Sequence, residues 1–154
     1  MMVSTYKETN TIKYNYLYED YISDIGSIYE KNKELVNPHI VGIYRGSLPI
    51  AVHLSNLFKC PMSIIKFQAI DGNDKEPVFL FDNIKDDSDL IIVDDIYDSG
   101  TTMRIIKPLL DNKQSNSIKY MTLFGYINPD DVEYIHENIG KWVVFPWERV
   151  NEDV

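Results

Sequence analysis

The sequence predicts an α/β domain with a mainly parallel central sheet flanked by helices, on three observations. Short apolar, β-branched runs alternate along the chain with segments of helical periodicity. Polar stretches containing Asp, Asn, Ser and Gly separate them, as turns require. The run Leu90–Val93 leads through an acidic turn into a helix-opening Ser-Gly-Thr-Thr, a strand–turn–helix join suited to parallel sheets. In such sheets ligands bind beyond the carboxyl ends of the strands.

The elements follow in order. Residues 1–15 read as a polar lead-in. From Leu17 to about Lys33, apolar side chains recur at Leu17, Tyr21, Ile25, Ile28 and Tyr29, one face of a helix. His39–Tyr44 reads as a short buried strand and Leu48–Phe58 as a helix. Met62–Phe67 is a second apolar run, followed by a polar loop over Gln68–Glu76. Pro77–Phe81 reads as a short strand, and Asp82–Asp89 as an acidic turn. Leu90–Val93 is a buried strand. Thr101–Asp111 is a helix that Pro108 should kink or shorten. Ile118–Phe124 is a strand, Asp130–Asn138 a helix ended by Gly140, and Trp142–Phe145 a last strand.

The 154 residues suffice for one domain with its own core, and neither a linker nor an internal repeat divides them. Hydrophobic residues make up 44% and charged residues 25%, which argues against a coiled coil, collagen or wholesale disorder. Asp and Glu number 24 against 15 Lys and Arg, for a net charge of −9. That balance disfavours nucleic acid and anionic membrane as partners. A phosphorylated ligand would need a local site that overcomes the global field. Only Arg45, Arg104 and Arg149 are arginines. Cys60 is the single cysteine, so no intrachain disulfide forms and a reducing, cytoplasmic setting fits. The start MMVSTYKETNTIKY lacks an apolar core of signal-peptide type, and no stretch approaches a membrane span. His39, His53 and His136 are scattered, without zinc-site or thiol-nucleophile spacing.

The segment LIIVDDIYDSGTTM, Leu90–Met103, carries the chemistry. Gly100 permits a tight turn and close backbone approach to a ligand. Free N–H groups at the following helix start favour a phosphate, and the Ser99, Thr101 and Thr102 hydroxyls add hydrogen bonds. Asp94 and Asp95, at the strand end, can accept hydrogen bonds from sugar hydroxyls or sit near Mg²⁺. Taken alone, Ser-Gly-Thr-Thr is most simply a solvated turn with a capping serine. The full string differs, because Asp94, Asp95 and Asp98 repel one another unless cations or hydroxyls compensate. It is not a Walker loop, since the Gly-Lys-Ser/Thr element is missing.

VDDIYDSGTT, Val93–Thr102, resembles the phosphoribosyl-pyrophosphate (PRPP) signature of type I phosphoribosyltransferases. IVGIYRGSLPIA, Ile40–Ala51, is similar to that family's pyrophosphate loop, and WVVFPWE, Trp142–Glu148, resembles the C-terminal base-binding segment of its xanthine–guanine and related purine members. The resemblance spans roughly residues 38–149. It implies one phosphoribosyltransferase domain over 1–154, with a core at about 38–127 and a small base-binding hood at about 128–154, formed with the terminal segments. It implies transfer from PRPP to a purine, hypoxanthine or guanine, with release of pyrophosphate. Mg²⁺ would neutralise and orient the pyrophosphate. Asp94 and Asp95 would hold the ribose hydroxyls, partly through the metal shell. Ser99, Gly100, Thr101 and Thr102 would cradle the 5′-phosphate, and Arg45 and Gly46 would serve the pyrophosphate, in a loop where family members often have a non-proline cis peptide. Asp98 would take the proton at N7 of the purine so that N9 attacks. Trp142 would stack on the base, with Val143 and Phe145 along its edge. Trp147 is equally readable as a core tryptophan. The family further suggests a homodimer or homotetramer.

One departure bears on the base. Related 6-oxopurine enzymes place a lysine shortly after the strand matching Ile118–Phe124. Here FGYINPD stands there, with Tyr126, Ile127 or Asn128 at the place, so a neutral donor replaces a cation. That keeps open adenine or another base, and a non-enzymatic PRPP sensor is the remaining alternative. Asp98 argues against the sensor, which needs no proton acceptor for a base. Gln68–Glu76 would be the loop that closes over PRPP. Lys66 and Lys75 are most simply solvated lysines.

Overall fold

The computed structural model describes residues 12–72, 74–97, 100–125, 131–137 and 140–149. The elements run β1 (Ile12–Asn15), α1 (Tyr18–Asn32), β2 (Pro38–Ile43), α2 (Leu48–Phe58), β3 (Met62–Asp71), β4 (Asp74–Phe81), β5 (Asp89–Tyr97), α3 (Thr101–Asp111), β6 (Ser117–Gly125), β7 (Val132–Glu137) and β8 (Lys141–Val144), then a 3₁₀ turn, Pro146–Glu148. Six strands form one sheet in the order β4-β3-β2-β5-β6-β7, and β1 and β8 form a separate two-stranded sheet. The pairs β2·β3, β2·β5, β5·β6 and β6·β7 are parallel, and β3·β4 is antiparallel. The α/β expectation is met. None of the described helices is long and apolar enough to cross a membrane.

β5 shows how the sequence builds the layers. Its side chains alternate between faces. Ile91 and Val93 pack with Ile25, Ile28, Ile50 and Leu54 of α1 and α2. Leu90 and Ile92 pack with Met103, Ile106 and Leu110 of α3. All four β5 residues are buried, as is usual for a central parallel strand covered on both faces. Each fully buried Leu or Ile contributes roughly 1.5–3 kcal/mol.

Four expectations need correction. Within the polar lead-in, residues 12–15 form β1, which pairs in parallel with β8 from Ile12↔Lys141 to Asn15↔Val144. The loop expected at 68–76 is mostly a hairpin, with Gln68 paired to Glu76 and Ala69 to Lys75. The helix expected at 130–138 is strand β7, held on β6 from Tyr120↔Val132 to Gly125↔Glu137. Its sequence VEYIHE is rich in β-branched and aromatic residues and finds a sheet edge to join. Gly140, at φ 68°, turns the chain towards β8 instead of ending a helix. Finally, α3 runs through Pro108 to Asp111 unshortened. Pro108 is exposed, and the helix continues past it although proline has no N–H to add to the ladder.

At the far end of the sheet from the strands' carboxyl ends, buried Asp89 staples three segments. It accepts hydrogen bonds from the Asn37 backbone N–H at 3.0 Å, Asn116 Nδ2 at 2.7 Å and Ser117 Oγ at 2.7 Å. Burial pushes its pKa up, but these bonds outweigh burial and hold it below the ordinary carboxylate value. A carboxyl depressed by folding stabilises above its unfolded pKa of about 3.9. That contribution disappears as pH falls through the lower folded value. Asp89→Ala should therefore destabilise the domain by about 2 kcal/mol at neutral pH. Urea melts should show the gap closing below pH 4; a gap of the same size at pH 3 and pH 7 would refute the assignment.

Candidate active site

Strand order places the site. From β2 the chain crosses to β3 on one side, and from β5 it crosses to β6 on the other. β2 and β5 are neighbours, in register from Pro38↔Asp89 to Gly42↔Val93. Their carboxyl ends therefore flank the point where the winding reverses, the crevice in which such sheets bind ligands. There a cavity of about 300 Å³ is lined by Asp94, Asp95, Tyr97, Gly100, Thr101 and Thr102, among others.

On the β2 side the peptide bond Tyr44–Arg45 is cis, in the loop where the family resemblance anticipated one. Arg45 is exposed and Gly46 half-buried. A Cβ on Gly46 would lie 2.8 Å from Asp95 Oδ2, so only glycine lets this loop approach the β5 acids so closely. Ser47, fully buried, ties the loop shut. Its Oγ accepts from the Ile43 N–H at 2.5 Å and donates to the Ile43 carbonyl at 2.7 Å. The sequence reading missed this serine. Its only signal was its place between Arg-Gly and a helix.

On the β5 side the strand continues beyond Val93 through Asp94 and Asp95 to Tyr97. The Asp95 N–H donates to Asp94 Oδ1 at 2.9 Å, and the Ile96 N–H to Asp95 Oδ1 at 2.8 Å. Burial pushes the Asp94 carboxyl well above its ordinary pKa, and the neighbouring Asp95 charge adds to this. Burial also raises Asp95, with Glu148 on the 3₁₀ turn contributing repulsion and the Asp94 and backbone hydrogen bonds opposing it. Burial and mutual repulsion thus favour a proton on the pair until a cation or hydroxyl groups compensate it. Glu148 is held there by its own turn, Oε1 accepting from the Phe145 N–H at 3.0 Å.

Gly100 opens α3 in the left-handed region, at φ 80°. Above it lie the Tyr97 phenol and the Arg104 guanidinium, whose Nη2 would be 2.6 Å from a Cβ. Thr101 is exposed and Thr102 half-buried at the first turn of the helix. The fold thus brings together Asp94, Asp95, Gly100, Thr101 and Thr102 around the cavity and sets Gly46 against Asp95, while Arg45 is exposed and outside the cavity lining. Asp98, Ser99 and Tyr126 lie outside the described residues.

The hood residues stand apart from this cavity lining. Trp142 on β8 is 45% exposed, whereas Val143 is buried in the core. Trp147 packs against the same core, stacked on Phe145 with centroids 5.2 Å apart and edge-on to Tyr21 at 5.2 Å. That places Trp147 as a packing residue. Lys66 pairs with Val78 in the β3·β4 hairpin, and Lys75 is exposed.

A model of the phosphoribosyl transferase domain family matches residues 17–153. The chain is similar to the hypoxanthine-guanine phosphoribosyltransferase of Lactococcus lactis subsp. lactis (strain IL1403), 30% identical over 107 residues, which are 65% of this chain and 58% of that protein. It thus spans somewhat over half the length of that relative. It is also similar to the xanthine-guanine phosphoribosyltransferase of Gluconobacter oxydans (strain 621H), 29% identical over 71% of this chain and 67% of that one. Among solved structures, the purine phosphoribosyltransferase from Pyrococcus horikoshii Ot3 superposes with a TM-score of 0.74 at 28% identity, covering 90% of this chain and 95% of that one.

Proposed function

Since the chain belongs to the phosphoribosyl transferase domain family, we propose that it joins a free purine base, hypoxanthine or guanine, to PRPP in purine salvage. The single observation that carries this reading is one cavity at the strand-order switch lined by Asp94, Asp95 and the Gly100 turn, with Gly46 of the β2 loop packed against Asp95. The purine relatives add to it.

In the proposed reaction N9 of the base bonds to C1′ of the ribose, the bond from C1′ to pyrophosphate breaks, and the N7 proton passes to Asp98. The ribose gains positive charge as the leaving group gains negative charge, and the site must serve both. Asp94 and Asp95 accept hydrogen bonds from the 2′- and 3′-hydroxyls, and in their ionised form they favour the cationic sugar. Backbone N–H groups of residues 99–102 and the Ser99, Thr101 and Thr102 hydroxyls receive the 5′-phosphate at the start of α3. Arg45 and the backbone at Gly46 receive the pyrophosphate. Trp142 and Tyr126 contact the base, and Val143, its side chain buried in the core, can offer only its backbone.

The acid pair fits a magnesium ion, because it offers adjacent hard carboxylate oxygen donors in the cavity lining. Asp94 and Asp95 would hold it, partly through water, and bound there it would neutralise the departing pyrophosphate. Two carboxylates make a weak site for so strongly hydrated an ion, and among the described residues no group of three potential ligands forms. Calorimetry should therefore detect tight Mg²⁺ binding only with PRPP present. Tight binding of Mg²⁺ alone would refute a shared site.

The missing lysine in FGYINPD supports a second reading, transfer to adenine or another base. Pyrophosphate release with PRPP, Mg²⁺ and a panel of free bases separates the two. Hypoxanthine or guanine should be the fastest; preference for adenine selects the second reading, and no release with any base favours a PRPP sensor. A cytoplasmic setting and assembly as a homodimer or homotetramer belong to the same proposal.

A further inference from the structure

The geometry points to Asp24, on α1, as a positioning residue for purine recognition, acting through Tyr16 and His136. This rests on the transferase reading above. Asp24 Oδ2 accepts the Tyr16 phenol proton at 2.5 Å and meets His136 Nε2 at 2.7 Å. The Asp24 side chain is 13% exposed. Burial, then the hydrogen bond and charge of Asp24, push the Tyr16 phenol above its ordinary pKa, so Tyr16 is the donor. A carboxylate only accepts, so His136 donates from Nε2.

Both partners grip Phe124, at the end of β6. Tyr16 meets its ring edge-on with centroids 5.0 Å apart, and His136 lies tilted against it at 5.1 Å. Phe145 and Tyr14 meet it at 5.8 Å and 6.0 Å. Phe124 and Gly125 directly precede Tyr126, and Phe145 directly follows the hood strand β8 with Trp142 and Val143. Tyr16 also donates its backbone N–H to the Val144 carbonyl at 3.0 Å. Phe124 and Phe145, the described neighbours in sequence of the two segments assigned to the base, therefore meet in one aromatic cluster, and a carboxylate from α1 orients two of its rings. Phe124 stands opposite Ile96 of β5 in the ladder, whereas Asp24 itself bonds Tyr16 and His136, on the side of β1 and β7. Loss of Asp24 should consequently fall on the base first and largely spare PRPP.

Steady-state kinetics on the full chain test this with Asp24→Ala, Asp24→Asn and His136→Phe. Asp24→Ala should raise the KM for the purine about tenfold, with kcat and the KM for PRPP within about twofold of wild type. Asp24→Asn keeps an acceptor oxygen and should restore most of the base KM. His136→Phe keeps a ring against Phe124 but loses the bond, and should give an intermediate rise. If Asp24→Ala does not fold, the other two variants decide. Unchanged base KM in both, or equal losses towards base and PRPP, would overturn the inference. A wild type that releases pyrophosphate from no base overturns the transferase reading and this inference with it, an outcome distinct from a working enzyme indifferent to Asp24.

Discussion

Asp98→Asn is expected to lower kcat by about 10²–10⁴-fold while leaving PRPP affinity nearly unchanged. The expectation follows from chain position. Asp98 comes three residues after Asp95, immediately after the end of β5 at Tyr97 and two residues before the Gly100 turn. A nucleotide with its phosphate at the start of α3 and its hydroxyls on Asp94 and Asp95 would bring its base near residue 98. Asparagine keeps the shape and can still hydrogen-bond, but it cannot accept the purine proton. Single-turnover rates and PRPP titrations of the same variant separate chemistry from binding. Turnover at the wild-type rate would show that Asp98 is not the base. A collapse of PRPP binding would instead make it a ribose or metal contact.

Gly100→Val should raise the KM for PRPP by about 10–100-fold. At φ 80° a β-branched residue is strained, at a cost of about 1–3 kcal/mol. Every 1.4 kcal/mol is about tenfold in affinity. The new side chain would also meet the Tyr97 phenol and Arg104 Nη2, so the turn must move away from the position that suits a phosphate. Gly140→Ala is the control. It too replaces a glycine of positive φ, 68°, but nothing lies within 4 Å of its Cβ. It should cost stability without changing PRPP kinetics. If Gly100→Val binds PRPP as wild type does, the 5′-phosphate does not rest on this turn.

Much of the site was readable because its parts are local. A strand, a pair of acids, a glycine turn and a helix start lie within LIIVDDIYDSGTTM, and each depends on near neighbours. Ser47 was not readable: its bonds to Ile43 span only four residues, but they depend on the conformation of the loop between β2 and α2, for which a serine by itself is no signal. Nor was the ring cluster on Phe124, which draws on β1, β6, β7 and the end of β8. The role of Trp147 also waited for the fold, because an apolar ring serves a core and a base pocket equally well from the sequence alone. Phe145 and Tyr21 decided it.

By itself the sequence determined the helices α1, α2 and α3, the buried strands and the glycine turn that opens α3. Helices close their hydrogen bonds four residues away, and a run such as LIIV admits few partners other than a core. Only the tertiary structure decided β1, the 68–76 hairpin and β7. All four residues of β1 are exposed, and that strand exists because β8, more than a hundred residues later, supplies its ladder. β7 carries the residues Val132–Glu137 on the edge of β6, although the same segment reads as a helix in isolation. A strand borrows its hydrogen bonds from a distant segment, so its existence is settled by whichever edge the fold leaves open.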